Sequence, residues 1–352
     1  MSKINIRMLS NADSVDGQGV ASAYLEQVAL VKEQNDLFNV YVNKEKRPKK
    51  TKIHINHIHT VMPNFLFKMG RKTCNVVYVH FLPTTLDGSI KMNKLFFSIF
   101  KWYVKSFYRK ADEVVVVNPI FIKPLTEIGL KRENITYIPN YVNKTDFYKI
   151  DTERRNEVRA KYGLKPDDFV VLGCGQVQTR KGVKDFVEVA KKNPDKQFVW
   201  AGGFSFGKIT DGYKELKAIM DNPPSNVHFI GIIPRTEMND IFNMTDVLFM
   251  PSFAELFPMA ILEAVNSHTP VLLRDLDLYE DILFHKYEKA SDVDGFHEKI
   301  NLLATDKEYY KQASENSKFI SEFYSKENVA KIWREYYPRV WEKHQSKRNK
   351  KK

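Results

Sequence analysis

Two glutamates with seven residues between them are the side chains best placed to do chemistry in this sequence. Glu255 follows an apolar run, and Glu263 falls on the second turn of a helix predicted to begin at Pro258. The free N–H groups of Met259 and Ala260 at such a helix start attract phosphate oxygens. The carboxylate of Glu263 is a good match for the two hydroxyls of a ribose. The alternative interpretation is an ordinary helix start with solvated glutamates.

A glycine-rich, basic turn is the second candidate. Residues 173–182 read Gly-Cys-Gly-Gln-Val-Gln-Thr-Arg-Lys-Gly, after a predicted buried strand and before a predicted helix. The glycines let the backbone approach a ligand, and Arg180 and Lys181 suit the neutralisation of a departing diphosphate. The pattern is neither G-x-G-x-x-G nor a P-loop, which disfavours a nicotinamide or ATP site. A solvated basic turn is the alternative.

Two weaker candidates lie in the first part of the chain. Gly17 and Gly19 form a turn after the first predicted strand, and His80 ends the apolar run 76–79. A histidine at the carboxyl end of a strand can hydrogen-bond a ligand, although a lone histidine is as often structural. The other nearby histidines are spaced as neither a helix face nor a strand face, so no metal site is predicted; they are His54, His57 and His59.

Residues 91–110 predict an amphipathic helix at a membrane surface. Polar side chains recur every three or four residues between bulky apolar ones. A basic stripe with aromatic flanks fits a helix lying in a bilayer interface. The predicted membrane-binding residues are Lys91, Lys94, Lys101, Trp102, Lys105 and Arg109. The alternative is a helix packed in its domain with its basic side toward water.

The distribution of charge supports an anionic partner. The 352 residues carry 55 Lys and Arg against 43 Asp and Glu, a net charge of +12. Residues 1–150 account for +11 of this. A lysine-rich composition that served only solubility would spread the excess charge evenly along the chain. Such a field attracts nucleic acid or an anionic membrane. Two cysteines indicate a reducing compartment, and without a signal-peptide core or a long apolar run we expect neither a secreted nor a membrane-spanning protein.

The candidates must be positioned by alternating strands and helices. Apolar runs lie at residues 76–79, 114–117, 170–172, 198–201, 227–230, 247–250 and 271–273. Runs without polar alternation are typical of strands buried on both faces, and helical patterns lie between them. This predicts a doubly wound α/β fold, in which ligands bind beyond the carboxyl ends of the strands.

The chain is long enough for two domains. A turn-rich segment at 138–143 and the charged stretch after it place the boundary near 145–165, and we set the domains at residues 1–155 and 156–325. An amphipathic, aromatic helix is predicted at 326–342. The basic tail 343–352 is predicted to be disordered.

The motifs together resemble the retaining GT-B glycosyltransferases of the family-4 type. Glu255 and Glu263 match that family's E-x7-E signature within MPSFAELFPMAILEA, and VVVNP, IPNYVN and VHFIGIIP fall in the family's order along nearly the whole chain. The segments NADSVDGQGVASAYLEQ and VYVHFLPTTLDGS are similar to bacterial lipid glycosyltransferases that add a second hexose to α-monoglucosyldiacylglycerol. The resemblance implies two Rossmann-like domains facing each other across a cleft, with the C-terminal helix returning to the first.

The resemblance also implies roles for the candidate residues. Glu263 would hold the ribose hydroxyls of UDP-glucose or UDP-galactose, Lys181 the diphosphate, and Glu255 the donor hexose. His80 would contact that hexose from the other domain. The remaining substrate-binding positions are Gly17, Gly19, Arg180, Phe257, Met259 and Ala260. The chain departs from the family at Gln176, where an arginine is usual and Arg180 could supply the charge, and at Pro258, where a glycine is usual.

No residue is an obvious nucleophile, so we expect front-face attack with the leaving phosphate as base. The resemblance implies no bound metal and no tightly bound cofactor. It implies a glucosyl-diacylglycerol acceptor, an anionic membrane surface as partner, and a peripheral location on the cytoplasmic face of the cell membrane. A family-4 transferase of capsule or cell-wall polysaccharide is the alternative enzyme. A basic nucleic-acid-binding protein is disfavoured, because no recognised module for that purpose is visible.

Overall fold

The computed structural model describes residues 3–11, 19–43, 45–46, 48–82, 94–205, 207, 210–255 and 257–350, without the side chains of residues 20, 22 and 94. The chain forms two compact units. Of the described residues, unit 1 holds those up to Tyr141 and the last helix from Lys326 onward, and unit 2 holds Val142–Ser325. The predicted Gly17 and Lys91 lie outside the described residues.

Unit 1 is built on a parallel sheet of six strands in the order β2-β1-β3-β4-β5-β6. The strands are β1 Ile4–Leu9, β2 Phe38–Val42, β3 Ile55–Ile58, β4 Cys74–Val79, β5 Glu113–Val116 and β6 Ile135–Tyr137. β3, β4 and β5 are buried at every position, and Val77 of β4 lies opposite Ile58 of β3 and Val114 of β5. The strand order reverses between β1 and β3, which is where such sheets bind ligands.

Four helices connect these strands and a fifth closes the unit. They are α1 Gly19–Glu33, α2 Pro63–Leu66, α3 Lys94–Lys110, α4 Ile122–Glu127 and the C-terminal α13 Lys326–Asn349, which follows the helices of unit 2. Trp333, Tyr336 and Tyr337 of α13 are buried in the unit. The hydroxyl of Tyr337 lies 2.8 Å from Nδ1 of His57 in β3, so α13 supplies part of the core of this sheet.

α13 extends beyond the predicted helix and corrects the prediction of a disordered tail at 343–352. The helix continues to Asn349. The Lys343 ammonium lies 2.7 Å from the carboxylate of Glu113 and also donates to the Asn134 side chain, while the His344 side chain is buried. These contacts hold the basic segment in a helix, because the charge run has partners in unit 1 rather than only solvent.

Unit 2 carries a second parallel sheet of six strands, in the order β12-β11-β10-β7-β8-β9. The strands are β7 Val170–Cys174, β8 Gln197–Ala201, β9 Val227–Gly231, β10 Val247–Met250, β11 Val271–Arg274 and β12 Glu288–Ala290. In chain order this is the 3-2-1-4-5-6 arrangement of a Rossmann fold. The order reverses between β7 and β10, which pair at Val171 and Val247.

Among its described residues, unit 2 also has eight α-helices: α5 Thr152–Lys161, α6 Val183–Lys192, α7 Tyr213–Asp221, α8 Met238–Asn243, α9 Met259–Asn266, α10 Glu280–Leu283, α11 Val293–Thr305 and α12 Lys307–Phe323. Phe186 of α6 packs edge-on against Trp200 of β8 and stacks on Phe249 of β10. The two parallel sheets confirm the predicted α/β fold. Within the part of the chain that the structure describes, every helix is too short or too polar to cross a lipid bilayer.

Candidate active site

The strongest sequence candidates meet at the switch point of unit 2. The turn after β7 carries Arg180 and Lys181, and the loop after β10 carries Glu255. Because β7 and β10 are adjacent parallel strands, both loops leave the same edge of the sheet. Sequence alone located each loop at a strand end; the strand order brings the two loops together.

Close backbone packing joins these two loops. Gly182 has a left-handed φ of +69°, and a Cβ at this position would lie 2.2 Å from the carbonyl oxygen of Pro251. Only glycine tolerates both conditions. The Phe253 amide donates a 2.8 Å hydrogen bond to the carbonyl of Arg180. The basic turn is therefore fixed against the loop that carries Glu255.

Glu255 is a buried carboxylate surrounded by cations. Its Oε1 lies 2.5 Å from Nζ of Lys181, and its Oε2 lies 3.8 Å from Nη1 of Arg180. The Lys181 stem reaches this position across Gly175, which has no Cβ in its path. Burial would raise the pKa of Glu255, but the Lys181 and Arg180 charges and hydrogen bonds from Lys181 and Ser252 lower it below its ordinary value. Glu255 is therefore ionised at neutral pH.

Arg180 is a second cation beside Glu255. Its Nη1 donates a 2.5 Å hydrogen bond to the carbonyl of Ala254, which holds the guanidinium beside Glu255. The Gln176 side chain accepts a hydrogen bond from Gln178 instead. The replacement of a charge at position 176 by Arg180 stays a prediction, and the position of Arg180 beside Glu255 is compatible with it.

Glu263 of α9 is paired with an arginine that sequence reasoning missed. Nη1 of Arg235 lies 2.5 Å from Oε1 of Glu263, and the Arg235 guanidinium carbon lies 5.0 Å from the ring centroid of the buried Phe147. Arg235 follows β9 by four residues. The rule that ligand-binding residues follow strand ends points to this position, but the apolar run 227–230 by itself predicts only a strand.

The start of α9 differs slightly from the prediction. Pro258 occupies the cap position in an extended conformation, and Met259 is the first helical residue. Phe257 is buried against the ring of Tyr324, 5.2 Å between centroids, so its side chain is occupied in the core. Met259 is buried and Ala260 half-buried at the helix start. Glu263 also projects from this helix, and it too is buried.

In unit 1 the predicted His80 is brought together with His59. His80 follows β4, His59 follows β3, and Nδ1 of His59 lies 3.2 Å from Nε2 of His80. Both rings are buried, and burial lowers the pKa of His80 to about 3. His80 is therefore a neutral hydrogen-bonding group at physiological pH. Gly19, the described member of the predicted glycine pair, is the first residue of α1.

α3 exposes an apolar row that the basic pattern did not reveal. Leu95, Phe96, Ile99 and Trp102 are between 54% and 68% exposed, at spacings that place them on one helix face. Val104, Phe107 and Tyr108 are buried and attach the helix to its unit. The aromatic residues of this segment thus divide into a core-facing group and a solvent-facing group.

The predicted cations of α3 flank this row or turn away from it. Lys101 is half-buried, with its ammonium 4.4 Å from the ring centroid of Phe97. Lys105 is half-buried, and Arg109 donates from Nε to the carbonyl of Ile128 near the end of the helix. Lys94 is the first residue of α3, and its side chain lies outside the described part of the chain.

One group of described side chains has the donor types of a metal site. Cys74, Asp112 and His344 have donor atoms within 4.8 Å of one another. The group lies at the amino end of β4, on the opposite edge of the sheet from His80. Burial raises the pKa of the Cys74 thiol well above its usual range. One oxygen of Asp112 is already bonded to the backbone and side chain of Asn75, so we assign this group no metal.

Two family models match the chain. The model described as glycosyl transferases group 1 matches residues 154–319, which lie in unit 2. The model described as glycosyltransferase family 4 matches residues 37–146. The basic turn, Glu255 and Glu263 fall in the first region, and His59 and His80 fall in the second.

Curated relatives and solved structures match most of the chain. The alpha-galactosylglucosyldiacylglycerol synthase of Streptococcus pneumoniae is 41% identical over 95% of this chain and 89% of its own length. The processive diacylglycerol alpha-glucosyltransferase of Acholeplasma laidlawii is 28% identical over 66% of this chain and 68% of its own. The structure of HepE from Anabaena with UDP and glucose is 15% identical, with a TM-score of 0.72 over 94% of this chain and 98% of its own.

Proposed function

This chain belongs to the group 1 and family 4 glycosyltransferases, and from that premise we propose that it transfers galactose from UDP-galactose to the glucose of α-monoglucosyldiacylglycerol. The product is a dihexosyl-diacylglycerol, formed with retention at the anomeric carbon. The observation that carries the proposal is the 41% identity, over 95% of the chain, to the alpha-galactosylglucosyldiacylglycerol synthase of Streptococcus pneumoniae. The identity to a diacylglycerol glucosyltransferase is lower and covers less of the chain, so galactose is favoured over glucose.

The donor is bound by the loops of the switch point in unit 2. The Glu263 carboxylate, held at Oε1 by Arg235, accepts hydrogen bonds from the ribose hydroxyls. Lys181, Arg180 and the amino end of α9, with Met259 and Ala260, neutralise the diphosphate. Glu255 and the backbone around Phe257 hold the hexose, to which His80 donates a hydrogen bond from unit 1. Gly17 and Gly19 are the further positions that we propose for diphosphate binding.

The reaction breaks the bond between the anomeric carbon and the β-phosphate oxygen and forms a bond to an acceptor hydroxyl. Attack occurs on the face that the phosphate leaves, and the acceptor proton passes to the departing phosphate oxygen. Lys181 and Arg180 stabilise the negative charge that develops on UDP. The nearby Cys174 takes no part as a nucleophile, because burial raises the pKa of its thiol to about 12.

α3 holds the enzyme at the surface where its lipid acceptor lies. The exposed row of Leu95, Phe96, Ile99 and Trp102 enters the interface of an anionic leaflet. Each basic residue of the same segment contributes about 1 kcal/mol to the free energy of binding to such a surface. We place the protein as a peripheral enzyme on the cytoplasmic face of the cell membrane.

The test is sugar transfer on anionic vesicles that contain α-monoglucosyldiacylglycerol. UDP-galactose and UDP-glucose compete in one reaction, and the product is analysed by mass spectrometry and by the anomeric proton coupling. We expect an α-galactosyl product, its near absence with Lys181→Ala, and ordinary activity with Lys191→Ala, an exposed lysine of α6. A glucosyl product would overturn the choice of sugar. Transfer to an undecaprenyl-linked acceptor but not to the glycolipid would overturn the acceptor.

A further inference from the structure

Buried histidines lie beneath the carboxyl edge of the sheet in unit 1. His57 is in β3, His59 follows β3 and His80 follows β4, and their side chains are between 0% and 6% exposed. The His59 ring lies 4.5 Å from the His57 ring and 5.4 Å from the His80 ring, measured between centroids. The function proposed above uses only His80, which leaves two buried imidazoles next to it without an assigned role.

His59 and His80 share one proton along their hydrogen bond. Burial lowers the pKa of His80 to about 3 and the pKa of His59 well below its ordinary value, so both rings are neutral at physiological pH. A neutral imidazole carries one N–H. Either Nδ1 of His59 donates to Nε2 of His80, or Nε2 of His80 donates to Nδ1 of His59.

The surroundings of His59 select the first arrangement. Nε2 of His59 is buried and has no hydrogen-bond partner among the described residues. If His59 carried its proton on Nε2, a buried N–H would be left without an acceptor, which is rare in proteins. A buried acceptor without a donor is better tolerated. The described residues thus favour a proton on Nδ1 of His59, directed at Nε2 of His80.

We propose that His59 is a positioning residue that fixes the tautomer and orientation of His80. With Nε2 of His80 occupied by the His59 donor, the proton of His80 is on Nδ1. Nδ1 is then the ring nitrogen that can donate to a hydroxyl of the donor hexose. This inference rests on the hexose-binding role proposed for His80. It assigns His80 a hydrogen-bonding role rather than proton transfer, because a ring with so low a pKa is a poor base.

The tautomer is measured directly by ¹⁵N NMR of histidine-labelled protein. We expect the His80 resonances of the wild type to show a protonated Nδ1 and an unprotonated Nε2. His59→Leu removes the donor and is expected to shift the proton of His80 toward Nε2. His59→Asn keeps an N–H close to the position of Nδ1 and is expected to retain the wild-type tautomer. A wild-type His80 protonated on Nε2 would overturn the inference.

Kinetics separate positioning from packing. We expect His59→Leu to lower kcat/KM for transfer about tenfold, the loss of one hydrogen bond, and His59→Asn to remain within about threefold of the wild type. UDP affinity is expected to be unchanged in both. His57→Asn is the matched control, because His57 is equally buried but has no hydrogen bond to His80. An equal loss in His57→Asn and both His59 variants would indicate packing alone and overturn the inference.

The outcomes also separate this inference from the function on which it rests. If His80→Ala loses transfer while His59→Leu retains it, the hexose role stands and the positioning role is wrong. If His80→Ala keeps full activity, the hexose role of His80 is wrong, and the NMR result then describes only the hydrogen bond between the two rings.

Discussion

Each buried glutamate of unit 2 is held by a cation from a different loop. Glu255 is paired with Lys181 from the turn after β7, and Glu263 with Arg235 from the segment after β9. A carboxylate that is already desolvated and oriented accepts a ligand hydroxyl without further ordering. Each pair is sensitive to loss of its cation, because Glu255 or Glu263 would then be a buried charge without its partner.

The ribose role of Glu263 gives the first prediction. Glu263→Ala removes a carboxylate that accepts hydrogen bonds, each worth about 1.5–3 kcal/mol when one partner is charged. We expect UDP affinity, measured by isothermal titration calorimetry, to fall by about 10- to 100-fold.

The matched control is Glu237→Ala. Glu237 lies on the same segment as Arg235, but it is exposed and pairs with Lys161. Its removal is expected to leave UDP affinity unchanged. Equal UDP affinities in Glu263→Ala and the wild type would refute the ribose role.

At the scale of elements, α3 is the helix that we propose docks the protein on the membrane containing its acceptor. Its exposed apolar row lies on the solvent-facing side of the helix, which in an ordinary surface helix carries polar side chains. Phe96 and Trp102 are 65% and 68% exposed. They can therefore be changed with little effect on the stability of unit 1.

The second prediction concerns this face. Phe96→Ser with Trp102→Ser removes two aromatic anchors, each worth about 1 kcal/mol or more on burial in an interface. We expect vesicle binding in a sedimentation assay to fall at least about tenfold. Transfer to the vesicle-borne acceptor should fall with it, while UDP affinity stays constant.

Phe319→Ser with Phe323→Ser is the control for this experiment. These two side chains of α12 are also aromatic and about 45% exposed, but they belong to unit 2. Loss of vesicle binding to the same extent in both double variants would show that α3 has no special part in docking.

The elements were predictable where one local signal decides the structure. Uniform apolar runs predicted β4, β5 and β7 to β11, but not β2, β3, β6 or β12. The residues after the predicted strands included Lys181, Glu255 and His80, because parallel strands deliver their loops to one edge. The contact between His59 and His80 was not predictable. It depends on which strands become neighbours, and the sequence carries no signal for that order.

Two other features could not be predicted from local sequence patterns, because they depend on contacts with distant parts of the chain. The aromatic residues of α3 recur so densely that periodicity does not show which of them face the core; only packing separates Trp102 from Phe107. Disorder at 343–352 was expected from charge alone, but the helix is held there by Glu113, which lies far away in the sequence. Whether such a charged segment is ordered depends on partners that are distant in the sequence.

At the scale of the whole molecule, the buried histidines make the two units respond differently to acid. Burial lowers the pKa of His57 and of His80 to about 3, and that of His59 well below its ordinary value. The unfolded chain binds a proton at each of them below about pH 6.5, whereas folded unit 1 does not. Their contribution to stability is therefore complete above about pH 6.5 and is lost progressively as the pH falls toward 3.

The third prediction follows from this loss of stability at low pH. The free energy of unfolding of unit 1 is expected to fall below about pH 6.5, by about 1.4 kcal/mol per pH unit for each of the three histidines. Hydrogen exchange by mass spectrometry resolves the units, which a single melting curve does not. Between pH 6.5 and 5, β4 should lose protection before β8. Parallel loss of protection in both strands, after correction for intrinsic exchange, would contradict the prediction.

The return of α13 to unit 1 governs the order in which the protein matures during translation. Strands β1 to β6 leave the ribosome first, yet Trp333, Tyr336 and Tyr337, which complete their core, are synthesised only after the elements of unit 2. The described residues of unit 2 all fall between Val142 and Ser325, so this part can fold while the nascent chain is still attached. Unit 1 must wait until α13 has been synthesised, and until then its incomplete core is the surface on which chaperones would act.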